Sequence, residues 1–585
     1  MTQRIIIAAL ILAAAFWLAP RLFPTPPRSA APAADSLARR DSVRTQGAPP
    51  NASATSPETA RTAVASTPTP AQQQPGAMPG ATPGATPGAT TAAAAETLSV
   101  GNEASTTLRF STAGASLLDA TLHQYRALAP GRNGDVALAR PGEPLLAYSL
   151  LAGRDTIALD RFPFSVSRGG TAERPELAFT GATPAGAVTI RYAIVPDSYT
   201  VRISGSVAGA PQGTTLLVRM PQGLRSSEAD SADDARHLAV AYKRRPDDAR
   251  GVTFSSLDAG EVEAVRGPLT WAVTKSKYFL VAVAAPDSAR SFGNLSIVGG
   301  PRTTKVATHT LATLEVPLQN GEFAMDVYAG PQEFRRLRAL GRDLDTANPY
   351  GGFLQGIVQP FATLVMHMLL WMHDTLHLGW GWVLVLVAIL VRVVTWPLNQ
   401  SAMRTSLKMQ RIQPELQALQ KRYKEDPQRF QQEMMKLYKA HGMSPFSSLA
   451  GCMPMLIPMP VLFALFFVFQ NTIEFRGVPF AWIPDISLHD PYYILPIAMG
   501  ISMFALSWIG LRNAPPNPQA KMMAYVMPVV MTAIFFRFPA GLNLYYTVQN
   551  LVTLPQQWLL TRERAKMGLV TPTVQGTPAK ARRGG

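Results

Sequence analysis

Cysteine is almost missing: the 585 residues contain one, Cys452, and it lies in an apolar run. Without cysteines a large exported region cannot be held by disulfides, so its stability must come from an ordinary core. No GxxxxGK[ST] phosphate loop occurs, which argues against a machine driven by nucleotide hydrolysis. Asp, Glu and Lys are absent from five long apolar segments near the C-terminus. Proton-coupled transporters usually keep a carboxylate there as the proton carrier. Internal repeats and paired broken helices, common in small-solute transporters, are also missing. His373 and His377 are four residues apart, but no third ligand is near them. A zinc site needs three or four ligands, so no metal and no cofactor is expected.

What is abundant is apolar sequence, at 47% of the chain, unevenly placed. Residues 1–21 hold a first apolar segment, IIIAALILAAAFWLAP behind Arg4. Two readings stand, a cleaved signal peptide and an uncleaved anchor slightly short for a ~30 Å hydrocarbon core. Residues 22–96 are rich in Pro, Ala, Thr and Ser, with GATPGATPGAT inside, a composition that cannot bury a core and reads as a flexible tether. From 97 to 345 short alternating runs such as VTIRYAIV and YTVRISGSV, separated by PDS, predict hairpins and an all-β sandwich. No nucleophile, metal or phosphate motif stands out in it. A scaffold or docking role is favoured over a carbohydrate-binding or enzymatic one.

Residues 346–378 include an amphipathic stretch interrupted by Pro360, which fits a helix in the membrane interface. Five apolar segments follow between 379 and 560, at 380–398, 449–471, 492–511, 522–538 and 541–559, and a basic tail runs from 561 to 585. With the first anchor these make six transmembrane helices, so the chain reads as a polytopic α-helical membrane protein carrying a β domain. The connector 399–445 holds nine Lys or Arg against four Asp or Glu, whereas 472–490 holds Arg476 against three acids. Basic loops mark the cytoplasmic side. The 399–445 hairpin, the 512–521 loop and both termini are then cytoplasmic, and the β domain lies outside. The net charge of +16 is accounted for in this way without a DNA partner.

Arg392 is the one charge well inside a span. It lies about 6 Å of helical rise from Trp396, so snorkelling to water is one reading of it. The last span favours another. At 100° per residue Asn543, Tyr546, Thr547, Asn550, Thr553 and Gln557 share an arc of roughly 120°. A stripe of that length is costly against hydrocarbon and must face another helix or water. Helix–helix glue is the plain explanation, but with a buried arginine the stripe points to a hydrated cavity. Most of the 22 methionines lie between 403 and 531, where flexible side chains suit surfaces that accept many apolar partners. The 399–445 segment spaces apolar residues at 409, 412, 416, 419 and 423, and Asp426-Pro427 caps a second helix that ends at Gly442. Lipid headgroups, ribosomal RNA and an emerging chain are its candidate partners.

Over 350–566 the sequence resembles the bacterial YidC membrane protein insertases, relatives of the insertases of mitochondria and chloroplasts. The resemblance runs through VRVVTWPLNQSAMR, MQRIQPELQALQKRYKEDPQRFQQEMMKLYKAHGMSPF, GCMPMLIPMPVLFALFF, DPYYILPIAMGISMF and FPAGLNLYYTVQNLVTLPQQ. Anchor, tether and external β domain resemble the Gram-negative form. The resemblance implies a five-helix core around a groove open to cytoplasm and lipid, in the inner membrane, with the β domain in the periplasm. It implies that Arg392 and Tyr546 are groove residues, and that substrate helices slide past Met459, Leu462, Met531, Ile534 and Phe535. Ala388, Pro458 and Arg537 depart from the family's usual threonine, glutamine and aromatic residue. The implied function is insertion and folding of nascent membrane proteins, alone or with the Sec translocon, without catalysis. The competing reading is a channel or small-solute transporter built on the same cavity.

Overall fold

The computed structural model describes residues 95–102, 105–171, 173–196, 198–302, 306–348, 350, 354–440, 459–512 and 518–566. The expected anchor, the tether, Cys452, Pro458, Gly442 and the basic tail lie outside them. Residues 95–348 form three antiparallel sheets of four, nine and six strands around one continuous apolar core. Alternation makes the strands two-faced. In Gly186–Val195 the residues Val188, Ile190 and Tyr192 are buried while Arg191 is exposed. The next strand, Thr200–Ala208, pairs with it in register Ile203 to Tyr192. Leu269–Lys275 and Phe279–Ala284 are buried along their whole length, as expected of central strands covered on both faces.

Nine α-helices accompany the sheets among the described residues. Two are short, α1 (Ser231–Arg236) and α2 (Phe334–Ala339). The others are α3 (Gln355–Leu376), α4 (Trp380–Arg422), α5 (Pro427–Ala440), α6 (Met459–Asn471), α7 (Ile494–Leu511), α8 (Pro518–Phe535) and α9 (Ala540–Lys566). Helix α3 runs through Pro360 instead of breaking there. Proline falls in its second turn, where only one early hydrogen bond is lost. Val358, Ala362, Val365, Met366 and Leu369 form its buried face, while Leu364 and Trp371 are more than half exposed, the two-sided pattern of an interfacial helix.

Helix α4 has 43 residues, about 65 Å at 1.5 Å per residue. That is twice a ~30 Å hydrocarbon core: the apolar stretch 380–396 fills its first part, and its second half forms one arm of the hairpin. Asp426 accepts from Arg429 N at 3.0 Å and caps α5. Ile412 and Tyr438 are buried as the two arms pack. By length and composition, α7 is the described helix able to cross a membrane, and shorter apolar helical stretches occupy 380–396, 461–471 and 521–535. Gly500 lets α7 and α8 approach closely, since a Cβ there would stand 2.0 Å from Thr532 Oγ1. Small residues at such crossings are how apolar helices pack without a hydrophobic driving force.

The segment 472–490 closes one end of the helices. Phe475, Ile483 and Ile486 share an apolar cluster with Val383, Leu384, Ala540 and Leu542, and Gly541 N donates to Ile486 O at 2.8 Å. The same segment grips the β domain. Arg476 Nε donates to Glu228 at 2.8 and 3.0 Å, and its Nη2 donates to Arg126 O at 2.9 Å. Both side chains are nearly inaccessible, 6% and 8%. Burial pushes the Glu228 carboxyl above its ordinary range despite the guanidinium beside it, so desolvation is not fully repaid by attraction. A second ion pair joins Arg335 of α2 to Asp374 of α3.

Two outcomes follow from this junction. Arg476→Ala strands a buried carboxylate and lowers the stability of the full chain in detergent by about 3–5 kcal/mol. The double change Arg476→Leu/Glu228→Leu recovers most of that loss in the thermal midpoint, and a double variant no better than the single would refute the assignment. Glu474 beside it is half-buried, has one inaccessible oxygen without a protein partner, and is pushed up to about 7 by desolvation. Its folded form therefore binds the proton more tightly than the unfolded chain. Stability is full below about pH 4.5 and falls as pH rises toward 7, by no more than about 3 kcal/mol. Glu474→Gln removes that slope in a pH series of thermal midpoints.

Candidate functional site

Arg392 sits in the last third of the apolar part of α4, one turn before Trp396, and is partly buried. Its Nη2 donates to Gln556 Oε1 of α9. The remaining polar atoms around it are poorly matched. Arg392 Nε and Gln556 Nε2 are buried without a protein partner, and the Tyr545 hydroxyl and Gln549 Oε1 face each other without closing a well-formed hydrogen bond. Tyr545 is fully buried and meets the ring of Phe469 edge-on at 5.4 Å. A guanidinium keeps five donors in a fixed fork and cannot discharge itself. Bonded to Gln556 and facing the buried Tyr545, it forms with that edge of α9 a polar cluster, the arginine chamber, between α4 and α9.

The stripe expected on α9 is divided by its neighbours. Asn543 is completely buried, and its Nδ2 donates to the carbonyls of Phe535 at 3.1 Å and Phe538 at 3.3 Å. It ties down the open carbonyl end of α8. Thr547 Oγ1 donates to Asn543 O at 2.7 Å and reaches Leu495 O of α7 at 3.4 Å. Asn550 Nδ2 donates to Ser502 Oγ of α7 at 3.1 Å, and Thr553 bonds back to Gln549 O at 2.6 Å. Asn543, Thr547 and Asn550 therefore join α9 to its neighbours instead of lining a chamber with Arg392. The physical reason is the close α7–α9 packing, which places backbone carbonyls opposite that arc. Tyr546 looks a third way, with its ring 5.3 Å from Phe535.

Gln549 and Gln556 were not picked out from the sequence. A signal was there: with Tyr545 they recur at spacings of four and seven and fall within about 40° of one another on a helical wheel. The larger polar arc beside them drew the attention. Of the expected sliding positions, Met459, Leu462, Met531, Ile534 and Phe535 are all half-buried. Helix α8 is otherwise open, with Met522, Met523, Val526 and Val529 each more than half exposed. Phe466 of α6 meets Phe538 at 5.6 Å, so α6 and the end of α8 converge where the 472–490 segment closes the bundle. His373 stacks on Trp380 at 4.1 Å and hydrogen-bonds Leu378 O at 2.7 Å. Among the described residues no three His, Cys, Asp or Glu are grouped as metal ligands.

Comparison with known proteins adds family to geometry. The family model for the 60Kd inner membrane protein matches residues 371–567, and that for the YidC periplasmic domain matches residues 100–364. The membrane protein insertase YidC of Anaeromyxobacter sp. (strain K) is 34% identical over 369 residues, covering 62% of this chain and 64% of that protein. The corresponding insertase of Anaeromyxobacter sp. (strain Fw109-5) is 33% identical over 386 residues, 65% of this chain and 68% of the relative. A solved active YidC insertase aligns with 79% of this chain and 93% of its own, at 18% identity and a TM-score of 0.32. The alignment thus spans a little under two thirds of the Anaeromyxobacter sp. (strain K) relative. With both the helical core and the external β domain matched in order, the chain belongs to the YidC family of inner-membrane proteins with a periplasmic domain.

Proposed function

We propose that this chain inserts nascent membrane proteins into the inner membrane and helps them fold, without catalysing a covalent reaction. The observation that carries the reading is the arginine chamber, a fixed positive charge held among apolar helices with unmatched polar atoms around it. A polar, acidic segment that must cross the bilayer is stabilised there more than in water. A 4 Å charge pair is worth ~4 kcal/mol at the effective dielectric of a protein site against ~1 kcal/mol in bulk. Mispaired polar atoms, each costing about 1–3 kcal/mol when buried, gain partners while the segment is present.

In this reading Arg392, Tyr546 and Thr553, with Gln549 and Gln556 added, form the groove, while Asn543, Thr547 and Asn550 hold its wall in place. The apolar span of the client moves along Met459, Leu462, Met531, Ile534 and Phe535 into lipid, and burial of ~20 apolar residues drives the step without nucleotide. Closure by 472–490 supports a groove that opens on the opposite, cytoplasmic side. Six spans, with both termini and the basic hairpin in the cytoplasm, complete the topology. The hairpin and tail offer contacts to the ribosome and to anionic lipid, and the Sec translocon is a further partner for longer clients.

Purified chain in liposomes tests this, scored by protease protection of a single-span client with an acidic translocated tail. Wild type inserts the client above empty liposomes without ATP. Arg392→Ala lowers insertion by at least about tenfold for the acidic tail and little for a neutral one. Equal insertion by the variant would overturn the charge mechanism. Asn543→Ala behaves differently: it removes the Nδ2 bonds to the Phe535 and Phe538 carbonyls, lowers the thermal midpoint by the equivalent of about 1–3 kcal/mol, and reduces insertion of acidic and neutral tails alike.

A further inference from the structure

A second charged chamber lies at the other end of the helices. Where the β domain meets the ends of α3 and α6, the chain surrounds a cavity of ≈ 890 Å³. Lys275, Arg250 and His237 line it from the β domain, and Phe467, Gln470 and Asn471 from α6. Lys275 is 6% exposed. Its ammonium reaches one protein acceptor, the Ser276 carbonyl, at the long distance of 3.5 Å, although it carries three donors. Lys277 two residues on is the contrast, held by Asp233 at 2.9 Å.

The carboxylates nearby do not fill this need. Asp233 serves Lys277, Asp234 Oδ1 accepts from Lys277 N at 3.0 Å, and Asp247 is paired with Arg244. Asp248 stands exposed at the rim. His237 donates from Nδ1 to Asp233 O at 2.9 Å. A buried cation without a counter-charge is costly, and burial drives Lys275 down to about 8 although Asp234 opposes this. The opposite wall says where an anion would come from. Gln470 and Asn471 end α6 directly after its apolar run, the polar end at which a headgroup would sit with α6 in the membrane as proposed above, and Phe467 is one turn back along the helix.

We propose that this cavity binds the phosphate of an anionic phospholipid headgroup, with Lys275 as its counter-charge and Arg250 at its mouth. Bound there, one lipid would join the β domain to the membrane helices, beside the Arg476–Glu228 contact. The orientation proposed above enters only in taking the lipid from the outer leaflet, and lipid retention reads the site independently of insertion activity.

Native mass spectrometry of the full chain released from nanodiscs tests it, comparing phosphatidylglycerol with phosphatidylcholine. Wild type retains phosphatidylglycerol in preference, by about tenfold, the value of a charge-assisted hydrogen bond. Lys275→Met abolishes the preference, Lys275→Arg keeps it, and Arg250→Gln at the exposed rim weakens it. If Lys275→Met does not fold, the Arg250→Gln and Lys275→Arg comparison decides. Equal retention of the two lipids by wild type, or undiminished preference in Arg250→Gln and Lys275→Met, overturns the site. Inorganic phosphate is the remaining arm. If it raises the thermal midpoint of delipidated chain as much as phosphatidylglycerol does, in a Lys275-dependent way, the ligand is a free anion and the headgroup assignment falls.

Discussion

A guanidinium that cannot lose its charge, fixed among apolar helices, governs how the rest of the bundle is arranged. Hydrocarbon offers it nothing, so partners must come from protein or from whatever enters beside it. Helix α9 supplies them by presenting two polar edges to three neighbours. One edge, Asn543, Thr547 and Asn550, is spent on α7 and on the end of α8. The other, Tyr545, Gln549 and Gln556, is turned to Arg392 and left incompletely satisfied. A helix with one polar edge would have to choose between rigidity and a chamber. With two edges, the outer half of the bundle is fixed while the chamber remains incompletely paired.

That division explains which parts of the site were legible in the sequence. Arg392 stood out because a charge within an apolar run has few bland explanations. The polar arc on α9 stood out for the same reason, yet the arc alone does not say which neighbour it meets. A helical wheel gives angles within one helix, whereas the partner depends on crossing geometry between helices far apart in sequence. Asn543 shows the gap: it reads as a groove residue until the carbonyls of Phe535 and Phe538 are found beside it. Local patterns survived better. The strand pair at 186–208, the interfacial face of α3 and the Asp426 cap all depend on neighbours within a few residues, or on a short turn.

Pro360 and the length of α4 mark where local rules give way. Proline predicts a break, but in a second turn it removes little hydrogen bonding, and the buried Val358–Leu369 face holds the helix together across it. Composition divides α4 into an apolar span and a basic arm, and Pro397 falls where the two meet, yet the helix continues through it to Arg422.

The outer end follows the opposite design, and the contrast bears on function. There, segment 472–490 joins apolar packing on the helices to a buried ion pair with the β domain. Buried ion pairs contribute little net stability because desolvation offsets their attraction; their geometry, however, is exacting. Arg476 must meet Glu228 and the Arg126 carbonyl together, which fixes the β domain in one orientation over the closed end. An apolar contact of the same size would hold as firmly while allowing the domain to slide. Directional bonds at the closed end and unmatched donors beside Arg392 therefore lie at different ends of the same bundle.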